Sequence, residues 1–399
     1  QEIHGWFFDE SSARELESAL RTEYEAITEV LRKRFPYVAG AEFTPKRNNG
    51  KQGYIEGCTF TRLKEFNPVS RDHISWILQI HCGWTPELLT STGKAVIDET
   101  VLREIGTDIA LKFLTLLDLT KQLGMISEGV NAWQKLCTKS RIHHYCATNT
   151  ATFRCHHRTP NLGQVPSDER FRRLFIATPG LRMVAADLSG IELRMLAHYL
   201  ARYDGGRYAE ILTTGDIHQT NADKIGITRR QVKTVTYAFL YGCGDIKLGH
   251  SYDQLLSEES ARKKGKDIRK AYVDAIPGLA ELLAACKKCS SRGYANAIDG
   301  RRISVDKGHK FLNYLLQGGA AVIAKRWMVG AHRHIKDMSL DCHQLAFIHD
   351  ELQFECNPKH VEDLKSILEL SATEAGEYYN MRIQIAAEAK DGLTWADTH

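Results

Sequence analysis

The chain has 399 residues, 43% of them hydrophobic and 26% charged, with a formal net charge of +4. Those proportions exclude a disordered or fibrous chain. No apolar run approaches the ~20 residues of a bilayer-crossing helix; the best candidate, residues 109–119, is too short and contains Lys112 and Asp118.

At ~150 residues per domain, the length fits two or three units. Residues 9–35 read as a long amphipathic helix. Asp9, Ser11 or Ser12 can cap it, and Leu16, Leu20, Ile27 and Leu31 recur at helical spacing. Residues 36–66, rich in Gly, Asn, Thr and basic side chains, read as an irregular excursion. Helical patterning resumes at Ser70 and runs with breaks to Lys139, and residues 140–165 read as extended chain and loops. Residues 183–186 form a short apolar strand with Asp187 at its end, then a Ser189-Gly190 turn and an amphipathic helix over 191–203. A carboxylate there stands at the rim of a sheet, where ligands bind. Residues 205–300 are mostly helical and basic, with turns at Gly205-Gly206 and Gly242-Cys243-Gly244. The last hundred residues mix helix and strand. Within them, two apolar runs flank His349-Asp350-Glu351, which reads as a β-hairpin with an acidic turn. There is no internal repeat and no low-complexity tract.

Charge is unevenly divided. Residues 341–399 hold twelve Asp or Glu against four Lys or Arg, which leaves +12 on residues 1–340. A basic body with an acidic end section fits a polyanion that touches part of the surface, and it also fits plain solvated charge. The ten cysteines form no regular framework and no secretion signal precedes them, so reduced thiols are expected. Cys286 and Cys289 make a lone CxxC in a helical pattern; Cys155-His156-His157 also lacks partners at a zinc spacing. The first residue is Gln, not Met, so the native gene product is expected to extend upstream.

Three segments carry chemistry together. Arg229, Lys233, Tyr237 and Tyr241 lie at four-residue steps and share one slowly spiralling stripe of a helix. Two cations followed by two aromatics suit a nucleoside triphosphate. Alone, the stripe reads more readily as an amphipathic helix with a cationic flank and aromatic core contacts. However, it is bracketed by Asp187 and Asp350, two carboxylates on sheet edges. Such a pair can hold two Mg²⁺ ions about 4 Å apart for in-line phosphoryl transfer, and Mg²⁺ prefers few carboxylates plus phosphate oxygens.

The chain resembles the polymerase part of family A DNA polymerases, the DNA polymerase I type. Asp187-Leu188-Ser189-Gly190-Ile191-Glu192 looks like their motif A, residues 229–242 like motif B, and His349-Asp350-Glu351 like motif C. Further likenesses are Thr159-Pro160-Asn161-Leu162 preceded by Arg154, Gly215-Asp216-Ile217-His218, Asp299-Gly300-Arg301-Arg302, and residues 313–325 with Gln317. The wording around His218 and at residues 66–74 looks most like replicative polymerases of short-tailed bacteriophages. The resemblance covers nearly the whole chain, strongly over 140–356 and weakly before 66.

It implies an α+β right-hand fold with an antiparallel palm sheet, helical fingers and a helical thumb. The thumb would be 1–140 with a short irregular excursion at about 39–66, the palm 141–205 and 313–399, and the fingers 206–312. The implied activity is template-directed addition of dNMP to a primer 3′-hydroxyl. The implied partners are primer-template DNA and dNTPs, with no membrane, for a monomer in the cytoplasm of an infected bacterium. Asp187, Asp350 and the backbone carbonyl of Leu188 would hold two Mg²⁺ ions, for which Mn²⁺ can substitute. Lys233, Arg229 and His218 would grip the triphosphate, with Lys233 also the proton donor to pyrophosphate. Tyr237 would pack on the incoming nucleotide, and Tyr241 would sit by the template-base slot. Glu192 would block a ribose 2′-hydroxyl. Arg154, Gln317 and His349 would touch the minor-groove edge of the primer end, and Glu351 would be an auxiliary acid.

The sequence departs from the family at Thr152-Phe153-Arg154, where the usual motif has Thr-Gly-Arg. The 39–66 excursion is short where some phage relatives carry a thioredoxin-binding insertion, which argues against thioredoxin dependence. No proofreading exonuclease segment is expected within these residues. A single-subunit RNA polymerase shares the hand and both aspartates, but Glu192 and Glu351 favour DNA synthesis. A non-catalytic DNA-binding module of the same fold would not need Asp187, Lys233 and Asp350 together.

Overall fold

The computed structural model describes residues 1–253 and 256–399. They divide into two compact units, one of residues 11–135 and one joining residues 1–10 to 136–399.

In the first unit the amphipathic pattern produces the helix Glu10–Arg34, which buries Leu20 and Leu31. Leu31 joins Phe35, Ile74, Ile77, Leu78, Phe113 and Leu116 in one core. The helix Arg71–Cys82 stops at Gly83, whose φ of 66° is the left-handed conformation that glycine accepts at a helix end. Residues 36–66 differ from expectation. Tyr37–Phe43 and Phe60–Glu65 pair as antiparallel strands, from Tyr37↔Glu65 to Phe43↔Phe60. Both strands are almost wholly exposed, so no face had to alternate apolar with polar. Their support comes from rings instead: Phe43 meets Tyr54 and Phe60 at 5.0 and 6.0 Å, and the Arg62 guanidinium lies over Phe43.

The second unit is built on a four-stranded antiparallel sheet in the order Cys342–Ile348, Glu351–Cys356, Arg182–Leu188, Ala387–Gly392. The helix Val361–Tyr378 packs on the last two strands and on the helix Phe311–Asp337. Val184, Ala186, Leu352, Phe354, Leu364 and Leu368 fill the space between. The first residues pair with this unit, although the sequence placed residues 1–140 in one segment. Trp6–Phe8 forms strand pairs with Arg141–Ile142 and Phe175–Ile176. Burial drives the pairing: Trp6 and Phe8 are 0% and 1% exposed, and Trp6 packs on Phe175 and Trp395.

The described residues of 206–312 are mostly helical as expected until Tyr294–Asn296 and Arg302–Ser304, which form a small hairpin. Two helices there, Asp245–Tyr252 and Glu258–Ala275, touch backbone to backbone. A Cβ on Gly265 would stand 1.8 Å from the Asp245 carbonyl oxygen, and one on Gly249 2.0 Å from that of Ala261. Only glycine allows this approach. Arg269 then pins the crossing, donating to the Asp245 carboxylate and the Cys243 carbonyl, each at 2.7 Å.

Candidate active site

Asp187 lies near the end of the strand Arg182–Leu188, and Asp350 lies in the turn that leads into the neighbouring strand Glu351–Cys356. The Leu188 amide donates to the Asp350 carbonyl at 3.0 Å. In an antiparallel ladder this makes the next pair, Asp187 and Glu351, the non-hydrogen-bonded kind, in which side chains approach most closely. Asp350 lies in the two-residue link between Ile348 and Glu351, and His349 before it has a φ of 60°, rare for a side-chain-bearing residue. On the other flank, Gly190 at φ 57° turns the chain into the helix Ile191–Asp204, which carries Glu192 in its first turn.

The crowding of acids shows in their titration. Burial, then the charges of Asp350 and Glu351, push Asp187 up to about 7, although its side chain remains open to solvent. Burial, then the charge of Glu192, push Asp350 up to about 6. A divalent cation between them would reverse both shifts. Glu351 behaves differently. Burial opposes its ionisation, yet hydrogen bonds with His399, Gln353 and Trp395 hold its carboxyl below the ordinary range. Its side chain is turned inward: the Trp395 indole donates to it at 2.9 Å, the Gln353 amide also donates, and His399 lies 3.5 Å away. Sequence reasoning missed Gln353, which alternation reads as an ordinary strand residue, and Trp395 and His399, because tail residues carry no local signal for a partner in a distant hairpin.

Asp187 and Asp350 are hard oxygen donors, and the Leu188 carbonyl follows Asp187 in the chain. No group of three His, Cys, Asp or Glu among the described residues is arranged to hold a metal ion alone. The donor set therefore fits Mg²⁺ that completes its shell with ligand oxygens, and not a closed protein cage.

The stripe predicted at residues 229–241 lies on the helix Arg229–Leu240, which Thr228 and Gln231 cap reciprocally. Val232, Val235, Thr236 and Phe239 face the core, which leaves Arg229 and Lys233 exposed and Tyr237 half-buried. Arg229 donates to Asp216 at 2.7 Å, while Lys233 has no ion-pair partner among the described residues. His218 sits with this group. Its ring is 6.4 Å from that of Tyr237, and burial, then Arg229, hold it below the usual imidazole value. Tyr241 caps the helix end, half exposed, with its hydroxyl 3.3 Å from Glu192. Arg154 donates to the same carboxylate at 2.7 Å. Thus Asp187, Asp350, Glu192, Arg154, Tyr237 and Tyr241 lie within one electrostatic neighbourhood. His349 is half-buried, with Nδ1 lacking a partner. Gln317 is half-buried on the helix Phe311–Asp337, and no hydrogen bond among the described residues joins it to the cluster. Beyond Tyr241 lies a cavity of about 390 Å³, lined by Phe239, Gly242, Asp245, Arg269, His309 and Asn313 among others.

The model of DNA polymerase family A matches residues 47–397. The DNA-directed DNA polymerases of Enterobacteria phage T3 and Escherichia phage T7 are each 31% identical to the chain. Those matches cover 92% and 91% of the chain and 59% of either relative, so the chain spans about three-fifths of the phage proteins' length. DNA polymerase I of Rhizobium leguminosarum is 26% identical over 84% of the chain and 35% of its own length. The solved POL domain of Pol1 from M. smegmatis, in complex with DNA primer-template and dNTP, matches with a TM-score of 0.81. At 22% identity, that match covers 99% of the chain and 68% of that domain. The fold is therefore the α+β polymerase hand, with an antiparallel sheet and flanking helices. With more than half its length matched by the family model, the chain belongs to DNA polymerase family A.

Proposed function

We propose that the chain carries template-directed DNA polymerase activity, extending a primer 3′-hydroxyl with dNTPs and releasing pyrophosphate. One observation carries this reading: Asp187 on a strand and Asp350 in the adjoining hairpin turn, both raised in pKa, lie near Tyr237 of a helix whose Lys233 is exposed and has no ion-pair partner among the described residues. In this reading the sheet with its flanking helices is the palm, residues 206–312 are the fingers and residues 11–135 the thumb. The chain works as a monomer on primer-template DNA.

Asp187, Asp350 and the Leu188 carbonyl would hold two Mg²⁺ ions, which would supply Lewis acidity toward the primer hydroxyl and positive charge beside the triphosphate. Lys233, Arg229 and His218 hold the phosphates, with Arg229 exchanging Asp216 for them. Lys233 then gives a proton to the departing pyrophosphate. Tyr237 packs on the nucleoside, and Tyr241 stands by the template base. Glu192 closes the space a ribose 2′-hydroxyl would need. Arg154, His349 and Gln317 read minor-groove acceptors that every correct pair presents. Glu351, committed to Trp395 and Gln353, fixes the start of its strand beside Asp350.

Primer extension with Mg²⁺, a primed template and either dNTPs or rNTPs tests the proposal. Extension with dNTPs is expected, with loss in EDTA and in Asp350→Asn while primer-template binding survives. Extension by Asp350→Asn near the wild-type rate rejects the metal assignment. A preference for rNTPs favours a single-subunit RNA polymerase, and DNA binding without synthesis favours a non-catalytic clamp.

A further inference from the structure

The hairpin that carries Asp350 has a second feature at its opposite end. Its strands Cys342–Ile348 and Glu351–Cys356 begin and finish with cysteines, and Cys342 and Cys356 are direct register partners. The Asn357 amide donates to the Asp341 carbonyl at 3.0 Å, so the pair one step inward is a non-hydrogen-bonded one. In such pairs the Cα atoms stand about 4.5 Å apart, within the ~4.4–6.8 Å that a disulfide spans. Both thiols are free, Cys356 is buried, and Cys342 is partly open to solvent. We propose that Cys342 and Cys356 form an oxidation site, a cross-strand disulfide that peroxide closes and a dithiol reopens.

The chemistry balances with hydrogen peroxide as oxidant. One thiolate attacks the O–O bond and becomes a sulfenic acid, with release of one water. The facing thiol then attacks that sulfur, the S–S bond forms, and a second water leaves. Each sulfur gives up one electron, and the peroxide takes up both with the two thiol protons. The facing thiols perturb each other, holding Cys356 below the ordinary thiol value and Cys342 above it. A thiolate is the form that reacts. The facing partner favours capture of the sulfenic acid before further oxidation.

A second pair provides the contrast. Cys146 and Cys155 also touch, but Cys146 lies directly opposite His157, so Cys155 is its diagonal neighbour. Diagonal pairs in a sheet sit farther apart than direct ones. Of the ten cysteines, Cys342 and Cys356 should therefore cross-link first. The proposal does not depend on the polymerase reading. The bond would join the strand ends away from His349-Asp350 and leave the turn unmodified.

The test exposes the reduced full chain to hydrogen peroxide, alkylates the remaining thiols and maps peptides without reduction. The expected result is loss of two alkylatable thiols, a peptide linking residues 342 and 356 that is lighter by two hydrogens, and recovery of both thiols with dithiothreitol. In Cys342→Ser the linked peptide should be lost and Cys356 should remain alkylatable or pass to sulfinic acid. If Cys342 and Cys356 alkylate like the other partly exposed thiols after peroxide, or Cys146–Cys155 links first, the proposal is overturned. The wild-type peptide map decides alone should the variant not fold.

Discussion

Arg154 and Glu192, 38 residues apart in the chain, meet as an ion pair at 2.7 Å with both side chains largely shielded from water. Tyr241 shares the same carboxylate at 3.3 Å. One acidic side chain thus holds a cation from the loop after the 145–147 strand and an aromatic from the end of the Arg229–Leu240 helix. An ion pair this sheltered is not worth the ~0–1 kcal/mol of a surface pair. Removing one partner leaves the other's charge poorly solvated.

The first prediction follows from that bond. Glu192→Ala should open space at the first turn of the helix Ile191–Asp204, beside the Asp187 strand. Relative use of rNTP over dNTP should rise by about 10- to 100-fold, the range for gain or loss of one steric contact. An unchanged ratio in single-nucleotide incorporation removes the steric role. Because Arg154 also loses its partner, primer-end affinity should change in the same variant.

Salt dependence is the second. Residues 262–270 hold six basic side chains against Asp267, on a helix whose buried residues are Ala261, Gly265, Ile268 and Tyr272. Each phosphate neutralised adds about 0.9 to the log–log salt slope of binding. Fluorescence anisotropy with labelled primer-template should give a steep negative slope. Replacing Lys263, Lys264 and Lys266 with Ala should flatten it if this face meets the backbone. A slope near zero in the wild type excludes phosphate-dominated binding.

Acid stability is the third. His144 and His157 are 1% and 3% exposed. Burial, then a neighbouring histidine in each case, pushes them down to about 3 and about 4. An unfolded histidine titrates near 6.5. As pH falls through 6.5, the unfolded chain therefore takes up protons that the folded chain refuses. Stability is full above that value and declines below it, by up to about 1.4 kcal/mol per pH unit for each such group. Glu355 adds to the loss at lower pH. It is 0% exposed and bonded to Thr178, Arg141 and His4, contacts that keep its carboxyl below the ordinary range against the cost of burial. Urea unfolding between pH 8 and 5 should show the decline, and His144→Phe should make it shallower. Equal stability at pH 7.5 and 5.5 contradicts the assignment.

The sequence made the site more legible than its support. The Arg229–Leu240 helix and the Ile348–Glu351 turn were readable because each is local: one has a 3.6-residue period, the other two apolar runs around an acidic link. Asp187 was readable because an apolar strand ends on it. The pairing of Trp6–Phe8 with Arg141–Ile142 was not, since it joins segments over 130 residues apart. Nor was the Tyr37–Phe43 hairpin, whose strands bury almost nothing and so leave no alternation. Trp395 reads as an isolated aromatic until the fold sets its indole against Glu351.

The last prediction concerns Tyr237. It lies one turn beyond Lys233 on the same face, half-buried, and its hydroxyl is influenced by Glu192, Asp350 and Asp187. In the proposed reading, a ring there meets the nucleoside when Lys233 meets the phosphates. With Phe in that place, the nucleotide's own 3′-hydroxyl has to supply the polar contact to its phosphate, and a dideoxynucleotide leaves it unmade. The Tyr hydroxyl can supply it instead, so the wild-type chain should use ddNTPs readily. Tyr237→Phe should discriminate against them by on the order of 10²- to 10³-fold, as expected when a polar group in a dry site loses its partner. Single-nucleotide incorporation of ddNTP and dNTP in both proteins measures the ratio. If both proteins give the same ratio, Tyr237 is not at the sugar, and the Lys233-to-phosphate register on this helix is wrong as well.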